Sequence, residues 1–189
     1  MQGATKFNVT EMEYLRIERS SEIKHEYYQG EMFAMAGASR KHNLIASNLI
    51  RDLGNQLRKG PCRVFPSDMR VKIDKIGKYV YPDVTVVCEK DEFTDDQEDT
   101  ITNPDLIIEI LSESTEAYDR GHKFAHYRKL VSLKEYVLIS QDEQSIETFT
   151  KNDSGYWQLS ETNEVQTEII LKSVGCKLIL DDVYEKVFN

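Results

Sequence analysis

Two carboxylates stand inside runs that otherwise read as buried strand: Asp83 within YPDVTVV (residues 81–87) and Glu109 within LIIEIL (residues 106–111). Burying a lone ionised carboxylate is costly unless a cation or hydrogen-bond donors compensate it. Two of them on neighbouring strands have one common explanation, a shared divalent cation. Mg²⁺ takes carboxylate oxygens at about 2.0–2.1 Å and fills its other positions with water and phosphate oxygens. For either residue alone, a structural ion pair or an exposed strand end remains the alternative.

A third residue belongs with this pair. Asp119, Lys123 and Tyr127 recur at i, i+4, i+8 and share one face of the helix that follows the Glu109 strand. Such a helix packs back over the same sheet, which brings Lys123 near Glu109. A lysine there can offset developing charge on a phosphate or help activate an attacking water; otherwise it is an ordinary surface pair with Asp119. His42 falls in the first turn of another helix, aligned with Ile45, Ala46 and Leu49, as a partly buried histidine or as a phosphate or water contact. Glu31 follows a hairpin turn and is either a third metal carboxylate or a solvated strand acid. Asp68 flanks an alternating strand and reads as structural, and Tyr127 and Tyr136 read as packing residues. Glu26, His122 and His126 take no role at this level.

The elements that must position these groups are legible from capping and periodicity. Thr10 with Glu13 forms a capping box opening a helix over Glu11 to about Arg19. Residues Glu26 to Ala36 read as a hairpin turning at Gln29-Gly30. Ser39 caps a longer helix, about Arg40 to Lys59, whose apolar stripe is Leu44, Ile45, Leu49, Ile50, Leu53 and Leu57. Strand-like runs follow at Cys62 to Ile73, Tyr79 to Cys88 and Leu106 to Leu111, the last two as central strands buried on both faces. Ser114 or Thr115 begins a helix to about Leu130, and Glu135 to Ile139 is a further apolar strand. The tail from Gln144 to Leu180 reads as an antiparallel meander closed by a short helix at Asp182 to Phe188. This order predicts one mixed α/β domain over residues 1–189, a central sheet flanked by helices, with a core at about 26–140 and a β-rich C-terminal extension at about 141–189.

Composition narrows the classes. The chain has 189 residues, 40% hydrophobic and 30% charged, as in a folded protein. No run approaches a membrane span and the first residues do not read as a signal peptide, so a cytoplasmic location is expected. The three cysteines, Cys62, Cys88 and Cys176, are scattered and odd in number, so they read as small buried hydrophobes rather than a disulfide or zinc set. The net charge of −9 runs against the basic face usual in nucleic-acid binders. Much of it is local: Glu89 to Asp99 holds seven acids against one lysine and reads as a solvated loop. Arg40, Lys41, Arg120 and Lys123 remain as a candidate positive rim.

Taken together, the motifs resemble a known group. Pro82-Asp83 followed 26 residues later by a strand glutamate is similar to the PD-(D/E)XK nuclease superfamily. The finer resemblance is to its Uma-two group of restriction-endonuclease-like proteins. It is carried, in order over about residues 10 to 140, by EYYQGE, the His42 helix, SDMRV, YPDVTVV, LIIEILSEST, DRGHK and EYVLIS. The superfamily's E-x-K places lysine two residues after the acid, where this chain has Leu111. The resemblance implies that Lys123 supplies that cation from the helix, and that Asp83 and Glu109 are metal ligands. It implies a restriction-endonuclease-like core, Mg²⁺ or Mn²⁺ as cofactor, DNA as substrate and an endonuclease activity, with a homodimer as a possible assembly. Two other uses of such a site stay open: a non-catalytic binding or assembly module, which the acidic charge favours, and a hydrolase of a small phosphorylated molecule.

Overall fold

Periodicity of two decides which side of the central sheet each residue meets. The computed structural model describes residues 8–113, 115–162 and 165–188. Its strands are β1 (His25–Tyr28), β2 (Glu31–Ala34), β3 (Arg63–Pro66), β4 (Arg70–Ile73), β5 (Lys78–Val80), β6 (Val84–Val87), β7 (Thr100–Ile101), β8 (Leu106–Leu111), β9 (Glu135–Ser140), β10 (Ile146–Lys151), β11 (Trp157–Glu161), β12 (Glu168–Leu171) and β13 (Cys176–Ile179). They form a six-stranded sheet in the order β11-β10-β9-β8-β6-β3, a five-stranded sheet in the order β2-β1-β5-β4-β7, and the β12-β13 hairpin. The β8–β9 pairing is parallel and β6–β8 antiparallel, so the central sheet is mixed as expected. Among the described residues no helix is long and apolar enough to cross a membrane.

One face of the six-stranded sheet, with Val84, Val86, Ile108, Ile110, Val137 and Ile139, packs on helix α2 (Arg40–Leu57) through Ile45, Leu49 and Leu53. Each such fully buried aliphatic side chain contributes about 1.5–3 kcal/mol. The α2 helix starts at Arg40 because the Ser39 side chain accepts from the His42 N–H. The opposite face, with Ile107, Leu111, Tyr136 and Leu138, packs on Phe124, Tyr127 and Leu130 and on Val71, Ile73 and Val80 of the five-stranded sheet. Helix α1 (Glu11–Glu18) opens on the expected Thr10–Glu13 capping box, and the Gln29-Gly30 turn takes positive φ at both residues, 50° and 84°.

Several expectations are corrected. The run from Cys62 to Ile73 is two strands in different sheets, broken by the Pro66–Met69 turn. The run from Tyr79 to Cys88 is likewise β5 and β6, separated at Tyr81-Pro82-Asp83, because a proline has no N–H for a ladder. Asp83 therefore stands just ahead of β6, not in mid-strand. The helix expected from Ser114 or Thr115 runs as α3 (Glu116–Tyr118), a π turn (Asp119–Lys123) and α4 (Phe124–Tyr127); Ser114 lies outside the described residues. The tail meander splits, with β10 and β11 extending the central sheet while β12 and β13 pair apart from it. The closing helix is α5 (Leu180–Val183).

The reading of the cysteines also changes. Antiparallel β3 and β6 place Arg63 opposite Val87, and the next pair outward, Cys62 and Cys88, is joined by a disulfide. Cys176 is the buried small hydrophobe expected. The acidic loop is not simply solvated: Asp95 and Asp99 bind Arg19, Asp99 also binds Arg70, and Asp91 binds Arg63.

Candidate active site

Antiparallel register brings the two strand carboxylates together. Val84 pairs with Ile108, so the next positions outward set Asp83 opposite Glu109. Asp83 Oδ2 accepts from the Ile110 N–H at 2.7 Å, which ties the residue ahead of β6 to the backbone of β8. Its Oδ1 lies 3.1 Å from His42 Nε2, at the start of α2. His42 Nδ1 is buried and has no hydrogen-bond partner among the described residues.

Glu109 is buried and meets the Tyr127 hydroxyl at 2.6 Å and Lys123 Nζ at 2.9 Å. Burial, with Asp83 and Asp119 adding to it, pushes the Glu109 carboxyl up to about 8 against the pull of Lys123 and the Tyr127 hydroxyl. Burial works against a charge on Lys123 as well. There the surrounding carboxylates of Glu109, Glu26 and Asp119 outweigh it and hold the ammonium well above the ordinary lysine value. Tyr127 stays a neutral donor, its phenol raised by burial and by Glu109.

Lys123 and Asp119, four residues apart, share the inward face of the π turn. Its i→i+5 bond, from the Phe124 N–H to the Asp119 carbonyl, accommodates an extra residue in the helix while both side chains remain buried. Such turns occur as local insertions in helices and recur at functional sites. Lys123 Nζ lies 3.5 Å from Asp119 and 3.8 Å from Glu26 of β1. Alongside, the buried Lys78 of β5 donates to the Tyr118 hydroxyl at 2.7 Å and lies 3.2 Å from His126 Nδ1. Burial lowers the Lys78 ammonium and brings His126 to about 4.

The structure thus gathers Asp83, Glu109, Lys123 and His42. Glu31 sits on β2, paired with Tyr28, and is not drawn into this group: among the described residues no three His, Cys, Asp or Glu side chains are placed to hold a metal. Asp68 is an exposed partner of Lys24. The expected positive rim is largely engaged elsewhere. Arg40 donates to the carbonyls of Lys186 and Val187, Lys41 faces Asp142, Arg120 binds Glu116 and Glu147, and Lys123 is buried among acids. Tyr136 packs against Phe124 as expected, whereas Tyr127 is both packed and bonded to Glu109. Glu26 and Lys78 enter the site unannounced. The period-two alternation of β1 puts Glu26 and Tyr28 on one face, but nothing local says that this face meets Lys123.

His42 and Asp83 open onto a cavity of about 280 Å³ lined also by Asn43, Ser47 and Ser67. A larger cleft of about 900 Å³ lies at the start of α2, between Arg40, Lys41, Ser112 and Asp142, without reaching the two carboxylates.

Comparison with known proteins places the family and the fold. Residues 12–181 match the family model Uma2, described as "Putative restriction endonuclease". Two uncharacterized proteins of Synechocystis sp. are similar over most of their length. One is 38% identical over 172 residues, 91% of this chain and 89% of the relative; the other is 39% identical over 166 residues, 88% and 94%. A crystal structure described as a putative nuclease belonging to DUF820, from Anabaena variabilis, shares the fold. Its TM-score is 0.75 at 19% identity, covering 95% of this chain and 99% of that one.

Proposed function

Because this chain belongs to the Uma2 family, we propose that it is a nuclease that hydrolyses DNA phosphodiester bonds with Mg²⁺ or Mn²⁺ held by Asp83 and Glu109. The observation behind this reading is the placement of Asp83 opposite Glu109 at the centre of the sheet, with Lys123 Nζ 2.9 Å from the latter. The residues present fit a divalent cation. Glu26 and Asp119 face the Lys123 ammonium, and burial, with the charges of Asp83 and Asp119 adding to it, holds the Glu109 carboxyl high until a cation offsets it. Two carboxylates suffice for Mg²⁺, which keeps several waters. When bound, such an ion offsets phosphate charge and acidifies water.

The remaining roles belong to the chain. Lys123 contributes a fixed positive charge beside Glu109, where charge develops on a phosphate. The Tyr127 hydroxyl and the Ile110 N–H orient Glu109 and Asp83 respectively, as donors to ligating carboxylates do. His42 positions Asp83 from its other oxygen and lines the adjoining cavity, the side from which a substrate strand approaches Asp83.

Plasmid and single-stranded DNA incubated with the protein and Mn²⁺ test the reading. We expect nicking or degradation that Asp83→Ala and Glu109→Ala abolish. Cleavage by Asp83→Ala at the wild-type rate, or no cleavage by wild type with either metal on either substrate, refutes it.

A further inference from the structure

Lys123 does not have the surroundings of an ordinary ion pair. Carboxylates converge on its Nζ from three separate elements: Glu109 of β8 at 2.9 Å, Asp119 of the π turn at 3.5 Å and Glu26 of β1 at 3.8 Å. All are largely withdrawn from solvent, with side-chain exposures of 11% for Lys123 and 4%, 5% and 17% for the three acids in that order. One carboxylate is enough to pair a buried ammonium, and each further desolvated acid around the same point adds repulsion. Three acids aimed at one point from two sheets and a helix make the surroundings of a cation, and the cation present is the lysine's own.

We infer that Lys123 is a resident cation filling a three-carboxylate cage, and that it thereby limits the site to one exchangeable divalent ion. A divalent ion on Asp83 and Glu109 leaves the other two acids of the cage to the lysine, Asp119 at 3.5 Å and Glu26 at 3.8 Å. Paired metals in nucleases stand about 3.5–4 Å apart with carboxylates around both. The ammonium beside Glu109 holds the second place. Its distances to the acids are those of an ammonium, longer than the roughly 2.0–2.1 Å of a Mg²⁺ ligand, and among the described residues no three His, Cys, Asp or Glu side chains are placed to hold a metal.

The inference rests on the reading of Asp83 and Glu109 as a metal pair, but its test is separable from it. Mn²⁺ binding is measured by titration calorimetry, and free Mn²⁺ by electron paramagnetic resonance, on metal-free wild type and Lys123→Met. We expect one equivalent for wild type and two for the variant. The gained equivalent disappears in Lys123→Met/Asp119→Asn, which leaves Asp83 and Glu109 untouched. A wild type that binds nothing, with Asp83→Ala equally silent, overturns the metal-pair reading; a gain of one equivalent by Lys123→Met still supports the cage. A wild type binding two equivalents, or a variant binding no more than wild type, overturns the inference. If Lys123→Met is unfolded without metal, recovery of native circular dichroism in Mn²⁺ but not in NaCl of equal ionic strength supports the cage. A variant unfolded in both overturns it.

Discussion

The hydroxyl of Tyr127 donates to Oε1 of Glu109 across 2.6 Å, and both side chains are buried. The ring itself packs near Tyr136, so Tyr127→Phe keeps the packing and removes one donor from a buried carboxylate. That change costs about 1–3 kcal/mol of stability. With Glu109 ligating the metal as proposed, the same change lowers Mn²⁺-dependent cleavage about 10-fold by loosening that carboxylate. Urea denaturation and initial cleavage rates read the two effects; unchanged stability in the variant sinks the argument.

Tyr127 also marks how far the sequence carries. Glu109 was legible from local pattern, an acid in an apolar run; the helical spacing of Lys123 fitted a surface pair with Asp119 equally well, and the resemblance, with Leu111 at the E-x-K position, singled it out. Asp83 was legible as a residue but misplaced, since Pro82 ends the ladder and shifts it to the mouth of β6. Glu26 and Lys78 were not legible as site residues. They arrive on the five-stranded sheet, and how that sheet docks against α3 and α4 is decided by distant contacts of Val71, Ile73 and Val80. The Cys62–Cys88 link was hidden for the same reason: a separation of 26 residues says nothing until β3 and β6 are known to pair.

His42 contributes to Asp83 through a single contact, Nε2 at 3.1 Å from Oδ1. Removing it in His42→Ala leaves Asp83 tied only from the Ile110 side and lowers cleavage about 10–100-fold, the usual effect of losing a partner of a metal ligand. His42→Gln, which retains a donor, recovers part of the rate. Steady-state kinetics on both variants checks this; equal rates for Ala and Gln would mean that the hydrogen bond is irrelevant.

Asp99 ties α1 to the five-stranded sheet by accepting from Arg19 at 2.8 Å and from the buried Arg70. Burial alone raises its carboxyl, but the two guanidiniums and the Thr100 hydroxyl outweigh it and hold Asp99 well below the ordinary 3.8. A depressed folded-state value means the stabilisation is present above about pH 3.8 and is lost as pH falls through the lower folded value. Asp99→Asn therefore costs about 1–3 kcal/mol at pH 7, less than a fully buried pair because Asp99 is partly exposed. Urea denaturation at pH 7 and at pH 2.5 should show the gap between wild type and variant narrowing in acid. A gap of equal size at both pH values contradicts it.

The Cys62–Cys88 bond closes a loop that contains the whole β3-to-β6 segment, including Asp83. Cross-linking a loop of this length contributes about 2–4 kcal/mol by restricting the unfolded chain. Cys62→Ser/Cys88→Ser is therefore less stable than the oxidised wild type, and dithiothreitol brings the wild type down to the same level. Mass spectrometry of unreduced peptides locates the bond, and thermal melts with and without reductant measure its effect. A wild type indifferent to reductant rules the contribution out.

Gly121 sits in the π turn with an exposed Cα, no positive φ and nothing within 4 Å of where a Cβ would stand. Glycine inside a helix costs about 0.5–1 kcal/mol relative to alanine, chiefly through the freedom it retains when unfolded. Gly121→Ala therefore gains about that much stability, a rise in Tm of roughly 1–4 °C for a chain of this size. The π turn is held by the inward burial of Asp119 and Lys123, not by the glycine, so the added methyl leaves Lys123 beside Glu109 and cleavage unchanged. Calorimetric melts and cleavage rates on the one variant decide both halves. A more stable protein that has lost its activity would show instead that Gly121 permits the π geometry and that alanine restores a regular helix with Lys123 turned away from Glu109.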